Sequence, residues 1–364
     1  MSDRFDIAII GAGIAGASLA AELGAHARVV LLEAEDEPGR HATGRSAAFW
    51  AETYGGPLVQ PLTTASGGWL EDHGFLGERS ALNIARAGQE AEIEAFIADF
   101  ARAGVQVERL GRAEIERIVP GLRPEWCHGV SEPTCKDIDV AGAHGWYLTE
   151  AKRAGVELRC RAGLLSAVHD RDWTLNTADG ATIRCDMMVN AAGAWADPVA
   201  ELAGVRPLGI QPLRRTMVQI RTMPAADEKL PLVVDLGGQF YFKPESGRLW
   251  LSPHDETPSA PCDAAPEELD VAIAIDRFEQ VVDWQVERVE HKWAGLRSFA
   301  PDRLPVYGPD TGNPAFFWFA GQGGFGIQTA PAAARLAAQI LLGHPPDDLT
   351  AELDRKLYLA TRFG

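Results

Sequence analysis

Apolar and polar positions follow a strand–helix–strand order at the start of this chain. Phe5–Ile10 is an apolar run broken only by Asp6, the pattern of a strand buried on both faces of a parallel sheet. Gly11, Gly13 and Gly16 follow as G-x-G-x-x-G, and an Ala- and Leu-rich helical stretch then stops near Gly24. A second apolar run, Val29–Leu32, ends at Glu33. Gly11 permits a tight turn, Gly13 has no Cβ to keep a pyrophosphate away, and Gly16 lets the helix lie against the strand. The helix N-terminus offers N–H donors and a partial positive charge to phosphates. Glu33 can hold ribose hydroxyls and would repel a 2′-phosphate. Together these features point to a dinucleotide site, with a plain βαβ unit as the competing reading.

Farther along, residues 35–56 read as a polar, Gly-containing loop leading into a short helix. Arg45 and Ser46 there can donate to phosphate or flavin oxygens, with a surface position as the equal alternative for Arg45. Residues 91–119 carry mixed charges at helical spacing, with Ile93, Phe96, Ile97 and Phe100 sharing one face. A helix enters at Asp139 and ends near Gly155. Strands at 156–161, 163–170, 173–178 and 182–190 form a meander with a hairpin signal at Asp179-Gly180. Ala192 and Gly193 then allow a ligand close to the backbone. Prolines punctuate short runs through 205–290, which predicts an antiparallel sheet, with a helix at about 266–280. Phe316–Ala320 is a buried strand before the glycine loop 321–328 and a helix over 329–342. The expected fold is α/β (α+β): a Rossmann-type dinucleotide domain with a mixed or antiparallel-sheet substrate domain. The first is expected to be discontinuous, over 1–80, 140–205 and 290–364, and the second to cover 81–139 and 206–289.

Composition narrows the function. The net charge of −17 over 364 residues argues against a nucleic-acid partner. No apolar run approaches the roughly 20 residues of a membrane span, so no transmembrane segment is expected. The cytoplasm is the expected compartment, with a membrane-peripheral position as the alternative. The five cysteines are scattered without a C-x-x-C pair, and the nine histidines show no metal-ligand spacing, so no metal is expected. There is no G-x-S-x-G elbow. A dinucleotide site without a nucleophile leaves redox chemistry carried by the cofactor. Arg214 and Arg215 begin a largely apolar strand, and Arg297 lies in WAGLRSF. A buried cation needs a partner, so each implies a carboxylate from a ligand or, equally, from the protein.

The segments IIGAGIAGAS, HATGRSAAFW, NAAGAWAD with GVRPLGIQPLRR, QFYFKP, HKWAGLRSF and GQGGFGIQT occur in this order over nearly the whole chain. In this the chain resembles the D-amino-acid-oxidase-like superfamily of FAD-dependent amine and amino-acid oxidoreductases, most closely the bacterial D-arginine dehydrogenase type. The resemblance implies non-covalent FAD along Gly11, Gly13, Ala15, Gly16, Glu33 and Ala34, with Arg45 and Ser46 near its phosphates and flavin. It places Ala192 and Gly193, and the loop carrying Gly323, Gly326, Ile327, Gln328 and Thr329, against the same cofactor. It implies a carboxylate clamp of Arg215, Arg297, Tyr54 and Tyr241, with Gly324 and Gln328 at the substrate amine; no residue is assigned as general base. Two departures bear on the substrate. ALNIARAG, residues 81–88, lacks the acid that would pair a guanidinium, and Phe49 replaces an active-site histidine, with Trp50 beside it. The expected reaction is oxidative deamination of a D-amino acid with a neutral side chain, by hydride transfer to flavin N5, to an imino acid and then a 2-oxo acid and ammonia. An inward Arg86 would admit an acidic side chain. A secondary amine or small amino acid (sarcosine, glycine or proline type) and a 2-hydroxy acid are the alternatives. The electron acceptor, oxygen or a quinone or other carrier, is not specified by any motif.

Overall fold

Two large sheets organise the computed structural model, which describes residues 3–364. In the first, Asp3–Ile10 lies between Thr182–Asn190 and Val29–Leu32, parallel to both. Ile7 and Ile9 join one core with Leu19 of the glycine-loop helix and Leu336 of the helix Ala330–Leu342. Ala8 and Ile10 join another with Trp173, Met188 and Trp318. Both faces of the strand are therefore covered, which is why its sequence is an almost unbroken apolar run. Phe316–Ala320 adds parallel to Thr182–Asn190, so the C-terminal part of the chain returns to the first strand's sheet.

The second sheet has ten strands and is antiparallel except where Leu232–Asp235 runs parallel to Ala81–Arg86. Its spine is Gln211–Met223 paired with Gln285–Phe299, from Gln211 opposite Phe299 to Met223 opposite Gln285. Val218, Ile220, Phe242 and Leu249 pack from this sheet onto Phe278 of the helix Glu268–Glu279. A three-stranded ribbon of Phe49–Trp50, Lys136–Ile138 and Leu76–Glu78 completes the strands.

The mixed α/β class matches the expectation, and several local readings need correction. Residues 35–56 hold no helix; they are turns and the short strand Phe49–Trp50, and the helix follows at Gln60–Asp72. The stretch 91–119 is not continuous helix. Glu90–Ala101 ends before Gly104, at φ +77°, and the strand Glu108–Gly111 intervenes before Arg112–Ile118. A domain boundary at 289/290 would cut the strand Gln285–Phe299, whose hydrogen bonds bind it to the second sheet. No helix among the described residues is long and apolar enough to cross a membrane.

Candidate active site

One cavity has the glycine turn at one end and the two spine strands of the second sheet at the other. Gly11 sits at φ +99°, and a Cβ there would lie 2.6 Å from the Ala191 carbonyl oxygen. A Cβ on Gly16 would lie 1.8 Å from the Gly11 carbonyl oxygen, so only glycine lets the helix start this close to the strand. Gly13 is more open; its Cβ would meet only Thr43 Oγ1, at 3.1 Å. That hydroxyl accepts the Ile14 N–H at 3.0 Å and fixes the loop over the helix N-terminus. Glu33 is nearly buried. Its Oε2 accepts the Ala12 N–H at 3.0 Å and its Oε1 the Glu35 N–H at 3.0 Å. Each oxygen keeps a further lone pair for a hydroxyl donor.

Gly13, Ala15, Ala34, Ser46, Ala192 and Gly193 line the cavity, whereas Gly16 supports the turn from beneath. A glycine cradle that a Cβ would fill, ending at a buried acceptor, fits a dinucleotide. Arg45 also reaches the cavity wall, but its guanidinium donates to the Asp263 carboxylate and to the carbonyls of Ala264, at 2.8 Å, and Ala294, at 3.2 Å. Its Nη1 and Nη2 are engaged by these groups.

At the other end the register brings two arginines together. Arg215 faces Gly295 and Leu213 faces Arg297, so the two guanidiniums are diagonal neighbours on one face of the antiparallel pair. Their side chains are 6% and 13% exposed. Arg215 Nε and Arg297 Nη2 both donate to the Asp255 carbonyl, at 2.9 and 3.4 Å. Arg297 Nη1 donates to the Tyr54 hydroxyl at 3.3 Å. Glu256 lies 3.0 Å from Arg297 Nη2 and 3.8 Å from Arg215 Nη2, so the pair already has a protein carboxylate beside it. Burial, then the Arg297 charge, pulls Arg215 below its ordinary pKa. Arg215 Nη2 and Arg297 Nε are buried without a hydrogen-bond partner among the described residues. Arg214, one residue earlier, points the other way and pairs with Glu267 and Asp270. The ion-pair alternative thus holds in full for Arg214 and only in part for Arg215 and Arg297.

Gly324 is built around this clamp, since a Cβ there would lie 2.2 Å from the Tyr54 hydroxyl and 3.0 Å from Arg297 Nη1. Phe49 packs on Tyr54 and Tyr241, with ring centroids 5.0 and 6.2 Å apart. Tyr241 contributes its ring, 5.7 Å from Arg215 Cζ, while its hydroxyl donates to Met217 Sδ at 3.0 Å. Gln328 has protein partners as well. Its Oε1 accepts the Ala51 N–H at 3.2 Å, and its Nε2 donates to the Tyr54 carbonyl at 3.1 Å and to Thr63 Oγ1 at 2.9 Å. The amide holds the loop that carries Tyr54, while Oε1 keeps a further lone pair and the residue lines the cavity. Gly323, Gly326 and Ile327 line the cavity; Thr329 is buried and donates its hydroxyl to the Phe325 carbonyl at 2.9 Å. Trp50 turns into the core, and Arg86 lies 4.5 Å over Trp126 outside the cavity wall, so neither shapes the pocket.

Sequence reasoning passed over Met217, Thr43 and Glu132. Met217 lines the cavity two residues after Arg215, on the same face of the strand, so period-two spacing could have found it. Glu132 is fully buried. Its Oε1 accepts the Glu52 N–H at 2.6 Å and its Oε2 the Thr53 hydroxyl at 2.6 Å, which anchors the Tyr54 loop from below. No local pattern marks that role.

The family model described as "DAO: FAD dependent oxidoreductase" matches residues 6–340. A glycine oxidase of Pseudomonas aeruginosa is 28% identical over 95% of this chain and 96% of its own length. The crystal structure of a glycine oxidase from Geobacillus kaustophilus superposes with a TM-score of 0.86 at 23% identity, over 99% of both chains. That of an L-proline dehydrogenase from P. horikoshii gives 0.83 at 21%, over 97% of this chain and 96% of the other. The expected kinship to D-arginine dehydrogenase in particular is not what these likenesses carry.

Proposed function

We propose, from the premise that this chain belongs to the DAO family of FAD-dependent oxidoreductases and uses FAD, that it oxidises the amine of a small amino acid of the glycine or N-alkylglycine type. The observation that carries this reading is the Arg215–Arg297 pair beside Tyr54, all three lining the cavity end where a ligand carboxylate can be held. Arginine matches a carboxylate bidentately, and two of them fix its orientation as well as its position. Glycine oxidases among the relatives favour the small substrate over the D-amino acid expected first.

When bound, FAD supplies a two-electron acceptor. The clamp fixes the carboxylate and so sets which Cα–H is presented. Fixed geometry of this kind lowers a barrier by up to about 7–11 kcal/mol in ideal intramolecular cases. Phe49, Met217 and the Tyr241 ring make the adjoining wall apolar, which favours an uncharged amine there. The substrate loses a hydride from Cα and a proton from nitrogen; water then adds to the imine to give a 2-oxo acid and an amine or ammonia. The titratable side chains lining that end, among the described residues, are two arginines and two tyrosines, so the amine is best delivered already neutral.

A D-amino acid with a neutral side chain is the second reading, favoured by the same apolar wall. Anaerobic bleaching of the flavin by glycine, sarcosine, proline, D-amino acids and 2-hydroxy acids discriminates between them. Fastest bleaching by glycine or sarcosine is expected, and bleaching by hydroxy acids alone would refute an amine substrate.

A further inference from the structure

The clamp is not a bare pair of cations. Glu256 lies 3.0 Å from Arg297 Nη2, 3.8 Å from Arg215 Nη2 and 2.8 Å from Arg303 Nη2, yet it does not line the cavity that the two clamp arginines line. Asp255 lies 3.7 Å from Arg215 Nε, and its carboxylate is fixed by the Thr216 N–H at 2.8 Å and the Thr216 hydroxyl at 2.9 Å. Among the described residues this cluster therefore sets three guanidiniums against two carboxylates, a surplus of one positive charge. The two carboxylates differ in exposure and in how they are held. Asp255 is 9% exposed and tied to the strand, whereas Glu256 is 35% exposed and reaches the arginines with its side chain alone. Arg303 is 53% exposed and stacks on Phe299, with Cζ 4.0 Å from the ring centroid.

From this count we propose that Glu256 holds the clamp at a single surplus positive charge and thereby makes it selective for monocarboxylate ligands over dicarboxylates. The inference rests on the carboxylate-binding reading above and goes beyond it by naming what rejects a second acid group. A monocarboxylate brings the cluster to neutrality. A dicarboxylate brings one negative charge too many into a site of low polarity, where that excess is costly. Glu256 does this from outside the cavity, by charge rather than by contact with the ligand.

The test uses the FAD-loaded protein and two dead-end ligands, acetate and malonate, titrated by the change in the flavin absorption band. Neither ligand needs to react, so the result does not depend on which amine is the substrate. Glu256→Gln keeps the size and hydrogen bonding of the side chain and raises the surplus to two. The ratio of the acetate Kd to the malonate Kd should rise about fivefold, the effect of one partly exposed charge, and high salt should shrink that rise. Arg303→Gln removes the surplus and should move the ratio the opposite way. Should Glu256→Gln weaken both ligands equally and leave the ratio unchanged, Glu256 only orients Arg297 and the proposal is overturned. Should neither ligand perturb the flavin of the unaltered protein, the carboxylate-binding reading itself falls, an outcome distinct from an unchanged ratio.

Discussion

At the scale of single residues, the site depends on a few side chains and on one missing side chain. Truncating Arg297 to Ala removes donors to the proposed ligand carboxylate and to Tyr54 and leaves Arg215 and Arg303 against two carboxylates, with no surplus positive charge. Loss of a charged hydrogen-bonding group of this kind costs about 1.5–3 kcal/mol, so the acetate Kd should rise on the order of 10- to 100-fold in flavin titrations. Gly324→Ala tests the same clamp from the loop side. Its Cβ would come within 2.2 Å of the Tyr54 hydroxyl, so Tyr54 has to move away from Arg297. A KM increase of about tenfold is expected with an unchanged melting temperature, because the conflict is confined to the cavity wall. Neither arginine could be assigned from its neighbours in sequence. Arg214 and Arg215 have the same flanks, and only the side of the strand decides that one pairs with Asp270 and the other meets Arg297.

Among the elements, the glycine-loop helix is the one most tightly constrained by its own sequence. Gly16→Ala places a Cβ 1.8 Å from the Gly11 carbonyl oxygen, a backbone atom that cannot rotate away. Overpacking of this sort costs about 1–3 kcal/mol. The variant should be purified with reduced flavin content and unfold several degrees lower, as read by absorbance and thermal melts. Retention of full flavin and stability would show that the helix can shift without cost. Elements with local punctuation were legible in the same way. Asp139 caps the helix Val140–Arg153 by accepting the Gly142 N–H at 2.9 Å, and Gly343 ends the last helix at φ +69°. The helix Gln60–Asp72, into which the 35–56 loop was expected to lead, could not be given bounds because QPLTTASGGWLED is rich in residues that disfavour helix. It forms through packing: the Ser66 hydroxyl accepts the Ala332 N–H at 3.2 Å, and Gly67 leaves room for the Trp50 ring, which a Cβ would meet at 2.6 Å.

For the molecule as a whole, the two sheets meet along the cavity, and the groups buried near that junction make stability depend on pH. His254 donates its Nδ1–H to the Gly238 carbonyl, 2.6 Å away. Burial first, and the Arg215 charge second, push its pKa from 6.5 down to about 4. Arg297 disfavours the imidazolium as well, and Glu256 favours it. Below pH 6.5 the unfolded chain binds this proton while the folded chain does not until about pH 4. Stability contributed by the neutral ring is therefore complete above pH 6.5 and is lost as pH falls toward 4, by on the order of 3 kcal/mol. Urea unfolding at pH 7 and pH 5 should show the decline. It should be smaller in His254→Asn, since Asn carries no proton in this range and tolerates the φ of +54° found there. An equal decline in the variant would assign the acid sensitivity to other groups.

The glycine turn, the apolar strands around it, the terminal acid Glu33 and the capped helices were all legible in the sequence, because each leaves a local mark: an apolar run, a spacing, or a residue type whose backbone freedom the position requires. The clamp was decided by the tertiary structure. Strand register alone puts Arg215 diagonal to Arg297, and a separate loop brings Asp255 and Glu256 against both. Gln328 and the Tyr241 hydroxyl took other partners for the same reason. A buried polar group bonds whatever the fold places beside it, and that neighbour is written nowhere near it in the chain.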